Sequence, residues 1–157
     1  KDLPLQLCHF AYWFAVACLI CQLYNYKHKQ FYFNCACFLG FSGALQSIIT
    51  VDLTGIYTFG DILALHLQHS FIIMNLLWLI FAYGKRFTLF SIFRAYGFIL
   101  FIIIPVGLIN YILIQNGIDA NYMFLCEPPN VDSSFFIGEW PAYLFWLALI
   151  YFLYKLI

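Results

Sequence analysis

Three residues that could take part in chemistry lie within four positions near the start of the chain. Gln6, Cys8 and His9 stand in the stretch LPLQLCHFAYW, at the head of a long apolar run. His66 and His69 open another apolar run, and their i, i+3 spacing places them on one helical face. A thiol with a histidine near it is the usual pair for nucleophilic catalysis, in which the imidazole takes the thiol proton. Cys8 is therefore the candidate nucleophile, and the histidines are candidate bases.

The composition places these residues in a membrane protein. Hydrophobic residues make up 65% of the chain, charged residues only 9%, and the mean hydropathy is +0.89. Soluble domains carry roughly a quarter charged residues, which they need for a polar surface. The net charge is zero and the few basic residues form no patch, so a nucleic-acid partner is excluded.

Apolar runs of roughly 20 residues predict transmembrane helices, because a bilayer core of about 30 Å needs that many helical residues. Five such runs occur, at residues 5–24, 30–49, 62–83, 87–114 and 141–157. We therefore predict an all-α, polytopic transmembrane helical bundle that forms a single domain over residues 1–157. The sequence begins with Lys1 rather than methionine, so a sixth span upstream is also expected.

The distribution of charges predicts the orientation, since Lys and Arg stay on the cytoplasmic side. The basic residues fall in the first and third loops and near the end of the chain, at Lys27, Lys29, Lys85, Arg86, Arg94 and Lys155. The acidic residues of the second and fourth loops are Asp52, Asp61, Asp119, Glu127 and Asp132. The acidic loops are thus predicted to lie outside and the C-terminus in the cytoplasm. Cys8 and the histidines then lie in the outer half of the membrane.

Each candidate residue also has a structural interpretation. His66 and His69 could hydrogen-bond across helices to Asp52 or Asp61 and order the bundle. Cys8 could form a disulfide with Cys126, because both lie on the side predicted to be oxidising.

Zinc ligation is a further alternative for the same residues. The ligands would be His9, His66 and His69 with one of the two aspartates, but the chain has no HExxH motif and only one spaced histidine pair. We predict no metal and no cofactor.

Four motifs resemble those of a known membrane family: LPLQLC at residues 3–8, QHSFIIMNL around His69, ANYMFLCEPP at residues 120–129 and GEWPAYLFWL at residues 138–147. They resemble the YwaF-type bacterial integral membrane family. That family is similar to TMEM-type acyltransferases of ether phospholipids, and more distantly to the androgen-induced, Far-17a-like membrane hydrolases. The resemblance implies a bacterial cytoplasmic membrane and lipid acyl chemistry, with Cys8 as nucleophile and His69, or alternatively His66, as base.

Two departures from the family pattern concern the same regions. The family often has histidine where this chain has Gln6, so His9 would have to substitute if that histidine assists the base. Asn75 replaces a proline that is common after the histidine, which bears on helix shape.

The expected reaction is attack of the Cys8 thiolate on a phospholipid acyl ester, followed by transfer to a lysolipid or to water. Asn110, Asn121 or Tyr122 could donate hydrogen bonds to the oxyanion, and Asp52 or Asp61 could orient the histidine. Trp140 is expected at the headgroup level beside the site.

Two functions of other classes remain open from the sequence. A transporter would use the histidines and aspartates to relay protons or to bind a small solute. A non-catalytic membrane module would assemble with a partner through its aromatic surface. The oligomeric state is not predicted.

Overall fold

Helices form all of the regular structure in the part of the chain that the structure describes. The structure is a computed structural model, and it describes residues 3–51, 57–86, 89–128, 139 and 141–145. The main elements are α1 (Leu7–Leu23), α2 (Lys29–Leu39), a π-helix (Gly40–Ala44), α3 (Leu45–Ile49), α4 (Phe59–Phe81), α5 (Leu89–Gln115) and a 3-10 turn (Tyr122–Phe124). The prediction of an all-α fold is confirmed within these residues.

Three helical segments are long and apolar enough to cross a membrane, namely Lys29–Ile49, Phe59–Phe81 and Phe93–Gln115. The first of them contains α2, the π-helix and α3 in succession. Helix α1 is apolar but has only 17 residues, a length of about 25 Å. The predicted span at residues 141–157 lies mostly outside the described residues. The structure thus supports an integral membrane protein, with three candidate spans among the described residues, while the count of five remains a prediction.

The largest interface in the bundle joins α1 to α2 through small side chains. Ala11, Ala15 and Cys18 lie on one face of α1, at spacings of four and three residues, and all are buried. They pack in one core cluster with residues of α2 such as Phe33 and Cys37. Small side chains let two helices approach closely, which is how helices associate in a membrane. The buried cysteines therefore act as small apolar packing residues.

The π-helix brings α1 and α4 close to the same backbone segment. A Cβ atom added at Gly40 would overlap the Leu76 Cδ1 atom of α4 and lie 3.3 Å from Ile72 Cγ2. A Cβ atom at Gly43 would lie 3.3 Å from Leu7 Cβ of α1. Because α1 and α4 both rest on this segment, it sets the distance between them.

A loop after α5 folds back against the start of α1. The chain leaves α5 at Gly117, whose φ of 73° is favourable for glycine, and then enters the loop of residues 118–128. The Asn110 side chain, fully buried on α5, donates to the Tyr122 carbonyl and accepts from the Tyr122 N–H, both at 3.0 Å. Gln6 accepts a 2.9 Å hydrogen bond from the Met123 N–H. The loop is therefore attached to both α5 and the head of α1.

The glycine at the contact with α4 can be tested by adding volume there. We expect Gly40→Val to lower the free energy of unfolding by about 1–3 kcal/mol, because the added methyl groups would displace Leu76 and Ile72. The matched control is Gly97→Val, since no atom lies within 4 Å of a Cβ added at Gly97. Unfolding in detergent would be compared for both variants. Equal stability of Gly40→Val and the wild type would contradict the close packing.

The Asn110 contact predicts a second loss of stability. Replacement by leucine keeps the approximate size but leaves the Tyr122 N–H and carbonyl without the Asn110 partner, at about 1–3 kcal/mol for each unsatisfied group. Asn116→Leu is the control, because Asn116 is exposed and bonds only to the Ile112 carbonyl of the preceding turn. We expect that control to change stability by less than about 0.5 kcal/mol. Similar unfolding midpoints for the two variants would show that the loop is not held by Asn110.

Candidate active site

Cys8 lies in the first turn of α1, where the backbone can support negative charge on sulfur. Its thiol is free and partly buried. The backbone N–H groups of Cys8 and His9 lie within hydrogen-bonding distance of the sulfur. The first N–H groups of a helix have no partner inside the helix, and they carry the positive end of its dipole. Burial of the sulfur outweighs these donors, so the Cys8 thiol stays protonated until a base removes its proton.

Gln6 precedes α1 but does not cap it. It occupies the N-cap position, and its side chain makes no capping hydrogen bond. Its Oε1 atom accepts from the Met123 N–H instead. The His9 and Phe10 N–H groups donate to the Gln6 carbonyl. Since the Gln6 side chain is engaged by the loop, the Leu7 and Cys8 N–H groups receive no side-chain cap from it.

His69 is held in one tautomer by its own helix. The residue is buried, with only 7% of its surface exposed, and its Nδ1 atom lies 2.7 Å from the Leu65 carbonyl oxygen. A carbonyl can only accept a hydrogen bond, so Nδ1 must carry the proton. In the neutral ring Nε2 is then the unprotonated nitrogen, which is the state that a general base needs.

His9 connects the two parts of the site. Its side chain interacts electrostatically with that of His69, so α1 and α4 bring these two imidazoles close together. The His9 Nδ1 atom is buried and has no hydrogen-bond partner in the described part of the chain. A buried polar atom without a partner is uncommon, and at a functional site it marks a place for a ligand or a water molecule. His66 lies one turn before His69 and is close enough to interact with it electrostatically.

Asp61 is engaged away from the histidines. It forms a capping box with Thr58 at the start of α4, and its Oδ2 atom accepts from the Thr58 hydroxyl at 2.8 Å and from the Thr58 N–H at 2.9 Å. Its side chain is exposed. The structure thus shows Asp61 in a helix-capping role. The other predicted orienting residue, Asp52, and the predicted interfacial residue, Trp140, lie outside the described residues.

The amide groups of the predicted oxyanion donors are used within the loop. Both polar atoms of Asn110 bond to the Tyr122 backbone. The Asn121 side chain donates to the Glu127 carbonyl at 2.8 Å and accepts from the Cys126 N–H at 3.0 Å. The Tyr122 hydroxyl accepts a 3.1 Å hydrogen bond from the Leu3 N–H. These residues support the loop beside the site.

Cys126 is a second thiol in this loop. Both Cys8 and Cys126 are free, so the structure shows no disulfide between them. Burial, and secondly the Glu127 carboxylate, raise the pKa of Cys126, and a hydrogen bond with Asn110 only partly offsets them. Cys126 is therefore a protonated thiol at neutral pH and a poorer nucleophile than a thiolate.

Two features of the site were not predicted from the sequence. The first is the π-helix at Gly40–Ala44, for which two glycines three residues apart in GFSGA were the available signal. The second is the set of backbone donors at the head of α1, which depends on where the Gln6 side chain goes. Among the described residues, no group of three or more His, Cys, Asp or Glu side chains lies close enough together to hold a metal ion.

Comparison with known proteins gives a family. The family model described as the TMEM164 family matches residues 1–157, which is the whole sequence given. No curated protein and no solved structure shows a match to the chain. The match confirms the TMEM-type part of the resemblance and gives no support to the YwaF-type or the Far-17a-like part. The chain belongs to the TMEM164 family.

Proposed function

We propose that this membrane protein carries out acyl transfer or ester hydrolysis on membrane lipids, with Cys8 as nucleophile and His69 as base. The observation that carries the proposal is the state of the two neighbouring histidines. His69 is fixed with Nε2 as its basic nitrogen, and the His9 Nδ1 atom is buried beside it without a partner. His9 follows Cys8 directly in α1, so a nucleophile, a base and an unused polar atom share one region.

The proposed first half-reaction forms a thioester. His69 Nε2 takes the proton from Cys8 Sγ, and the thiolate attacks the ester carbonyl carbon of a glycerolipid. The tetrahedral intermediate collapses when the C–O bond breaks, and the leaving alkoxide takes the proton from His69. The products are a lysolipid and an acyl group bound to Cys8.

The proposed second half-reaction restores the enzyme. A lysolipid hydroxyl or a water molecule gives its proton to His69 and attacks the thioester carbonyl. Cleavage of the C–S bond releases the new ester or the free fatty acid, and Cys8 recovers its proton from His69. The identity of the acceptor decides between transfer and hydrolysis, while the protein residues keep the same roles.

Backbone groups are better placed than the loop asparagines to hold the oxyanion. The Leu7 and Cys8 N–H groups at the head of α1 have no side-chain cap, because the Gln6 side chain bonds to Met123. The Asn110 and Asn121 amides are occupied. Fixed N–H donors directed at developing charge are a strong form of transition-state stabilisation. We therefore assign the oxyanion role to α1 and a positioning role to Asn110, Asn121 and Tyr122.

A lipid substrate agrees with the surface that adjoins the site. Beyond His69, helix α4 exposes large apolar side chains at Phe71, Met74 and Trp78. Exposed aromatic and apolar side chains on a membrane helix contact lipid. In the orientation proposed from the basic residues, the head of α1 faces the outer leaflet. The proposed partners are accordingly a phospholipid acyl donor and a lysolipid or water acceptor.

Labelling by a lipid-like, cysteine-directed acyl probe tests the nucleophile. We expect the purified wild type to acquire an acyl group that hydroxylamine removes, as a thioester requires, and Cys8→Ala to lose it. Mass spectrometry of the intact protein would measure the acyl group. Cys126→Ala is the matched control and should retain full labelling, because the proposal places the acyl group on Cys8 and gives Cys126 no part in the reaction. Labelling that persists in Cys8→Ala would contradict the proposal.

The rate of the same labelling tests the base. We expect His69→Gln to slow it by about 10²–10⁴-fold, the usual contribution of general acid–base catalysis. His66→Gln is the matched control one turn away, and it should label within about threefold of the wild type. Both variants would first be shown to unfold at the wild-type temperature. If His66→Gln were the slow variant, the base would be His66, and if neither were slow, a non-catalytic membrane module would account better for the chain.

A further inference from the structure

A polar cavity lies at the end of the bundle opposite to Cys8. It has a volume of about 130 Å³ and is formed by the turn after α1, the first turns of α2 and the start of α5. Its lining residues are Lys27, His28, Gln30, Phe31, Asn34 and Arg94. Helix α1 alone separates the two ends by about 25 Å, so this cavity is distinct from the proposed active site.

The charge around the cavity has one sign. The sequence has no Asp or Glu between residues 3 and 51 or between residues 62 and 118. Lys27 and Arg94 line the cavity itself. Lys29 and Lys85 lie at the same end of the bundle, and the Lys29 ammonium donates to Asn25 Oδ1 at 2.7 Å rather than lining the cavity. Since the described residues that line the cavity include no carboxylate, the lining cations favour an anion.

A buried amide in the cavity wall has an unused donor. Asn34 is only 3% exposed, and its Oδ1 atom accepts a 3.1 Å hydrogen bond from Gln30 Nε2. Gln30 Nε2 also donates to the Arg86 carbonyl at 2.8 Å, which fixes the orientation of the Gln30 side chain. Asn34 Nδ2 makes no hydrogen bond to another described residue, and Asn34 lines the cavity. The Nδ2 group can therefore donate to an acceptor that enters the cavity.

The backbone of α2 adds donors at the same place. His28 is the N-cap residue, and its side chain makes no capping hydrogen bond. The first N–H groups of α2 therefore have no side-chain cap, and they carry the positive end of the helix dipole. Arg94 is held above the Phe31 ring at 6.0 Å, which places its guanidinium at the cavity wall. Arginine, amide and helix N-terminal N–H groups together form the donor set that binds phosphate.

We propose that this cavity binds a phosphate group, either the headgroup of an anionic lipid or a soluble phosphate. Lys27 and Arg94 supply the charge, and Asn34 Nδ2 and the α2 backbone supply directed hydrogen bonds. The site does not depend on the chemistry of Cys8 and His69.

The test compares two pairs of substitutions that change the net charge equally. In Lys27→Gln/Arg94→Gln both cations that line the cavity are removed, and in the control Lys29→Gln/Lys85→Gln two nearby cations outside the lining are removed. Native mass spectrometry of the full chain would count bound phosphatidylglycerol against phosphatidylcholine, and a parallel thermal-shift titration would use inorganic phosphate. Lys27 and Arg94 are exposed, so the variant pair should fold.

We expect the first pair to bind phosphatidylglycerol or phosphate at least about tenfold more weakly than the wild type, and the control pair to stay within about threefold. If the first pair loses phosphatidylglycerol binding and inorganic phosphate does not shift the unfolding temperature of the wild type, the site is assigned to a lipid headgroup. Binding of inorganic phosphate that competes with the lipid assigns it to soluble phosphate. Equal losses in both pairs would show that net charge alone causes the effect and would overturn the proposal. The proposal would also be overturned if the wild type neither preferred phosphatidylglycerol to phosphatidylcholine nor bound inorganic phosphate.

Discussion

The close approach of helices at the π-helix governs the arrangement of the bundle. Because Gly40 has no Cβ, the Leu76 and Ile72 side chains of α4 pack against its backbone. The head of α1 packs in the same way against Gly43. In a membrane there is no hydrophobic drive between apolar helices, so association relies on backbones that come near each other and on polar contacts across helices. A π-helix also turns the residues that follow it, which lets one continuous span present glycine to two neighbours. The relative position of His9 on α1 and His69 on α4 depends on this shared contact.

The two ends of the bundle differ in how their polar groups find hydrogen-bond partners. At the end with Cys8, most amides are satisfied by the loop of residues 118–128, where Asn110 and Asn121 each bond to backbone groups. A few polar atoms stay unused, among them His9 Nδ1 and the uncapped start of α1. At the other end, unused donors coincide with lysine and arginine. In a protein that satisfies nearly all of its buried polar groups, the exceptions indicate where ligands bind.

Much of the fold followed from composition and spacing. Apolar runs predicted α1, α4 and α5 to within a few residues, because a continuous apolar stretch of about 20 residues crosses a membrane as a helix, which satisfies its own backbone groups. The run at residues 30–49 is helical as expected, but its break into a π-helix depends on packing against α1 and α4, and the two glycines of GFSGA are only a weak local sign of it. The end of α1 likewise depends on a backbone conformation that the apolar pattern did not indicate, at Asn25. The structure shows it at a φ of 54°, where it ends α1 with Tyr26 bonded back to the Cys21 carbonyl.

The site was predictable in its residue types and less so in their roles. Cys8, His9 and His69 stood out because polar side chains are rare in apolar helices. The roles of Gln6, Asn110 and Asp61 depend on partners far along the chain or on a local cap. Their residue types had instead predicted a chemical role for each of them. Glutamine and asparagine have both donors and acceptors, so composition cannot tell whether they will meet backbone or substrate.

The shortness of α1 has a consequence for the surrounding lipid. A helix of 17 residues stands beside spans of 21 and 23 residues, so its apolar length falls short of a bilayer core by several ångströms. Hydrophobic mismatch of this kind is relieved when the bilayer thins locally around the short helix. In the predicted topology, in which α1 also spans the membrane, the interface then lies deeper near the head of α1, and so does the polar part of an adjacent lipid. The polar part of a lipid would then lie at the depth of the Cys8 thiol while the lipid stays in its leaflet, because the bilayer is thinner there.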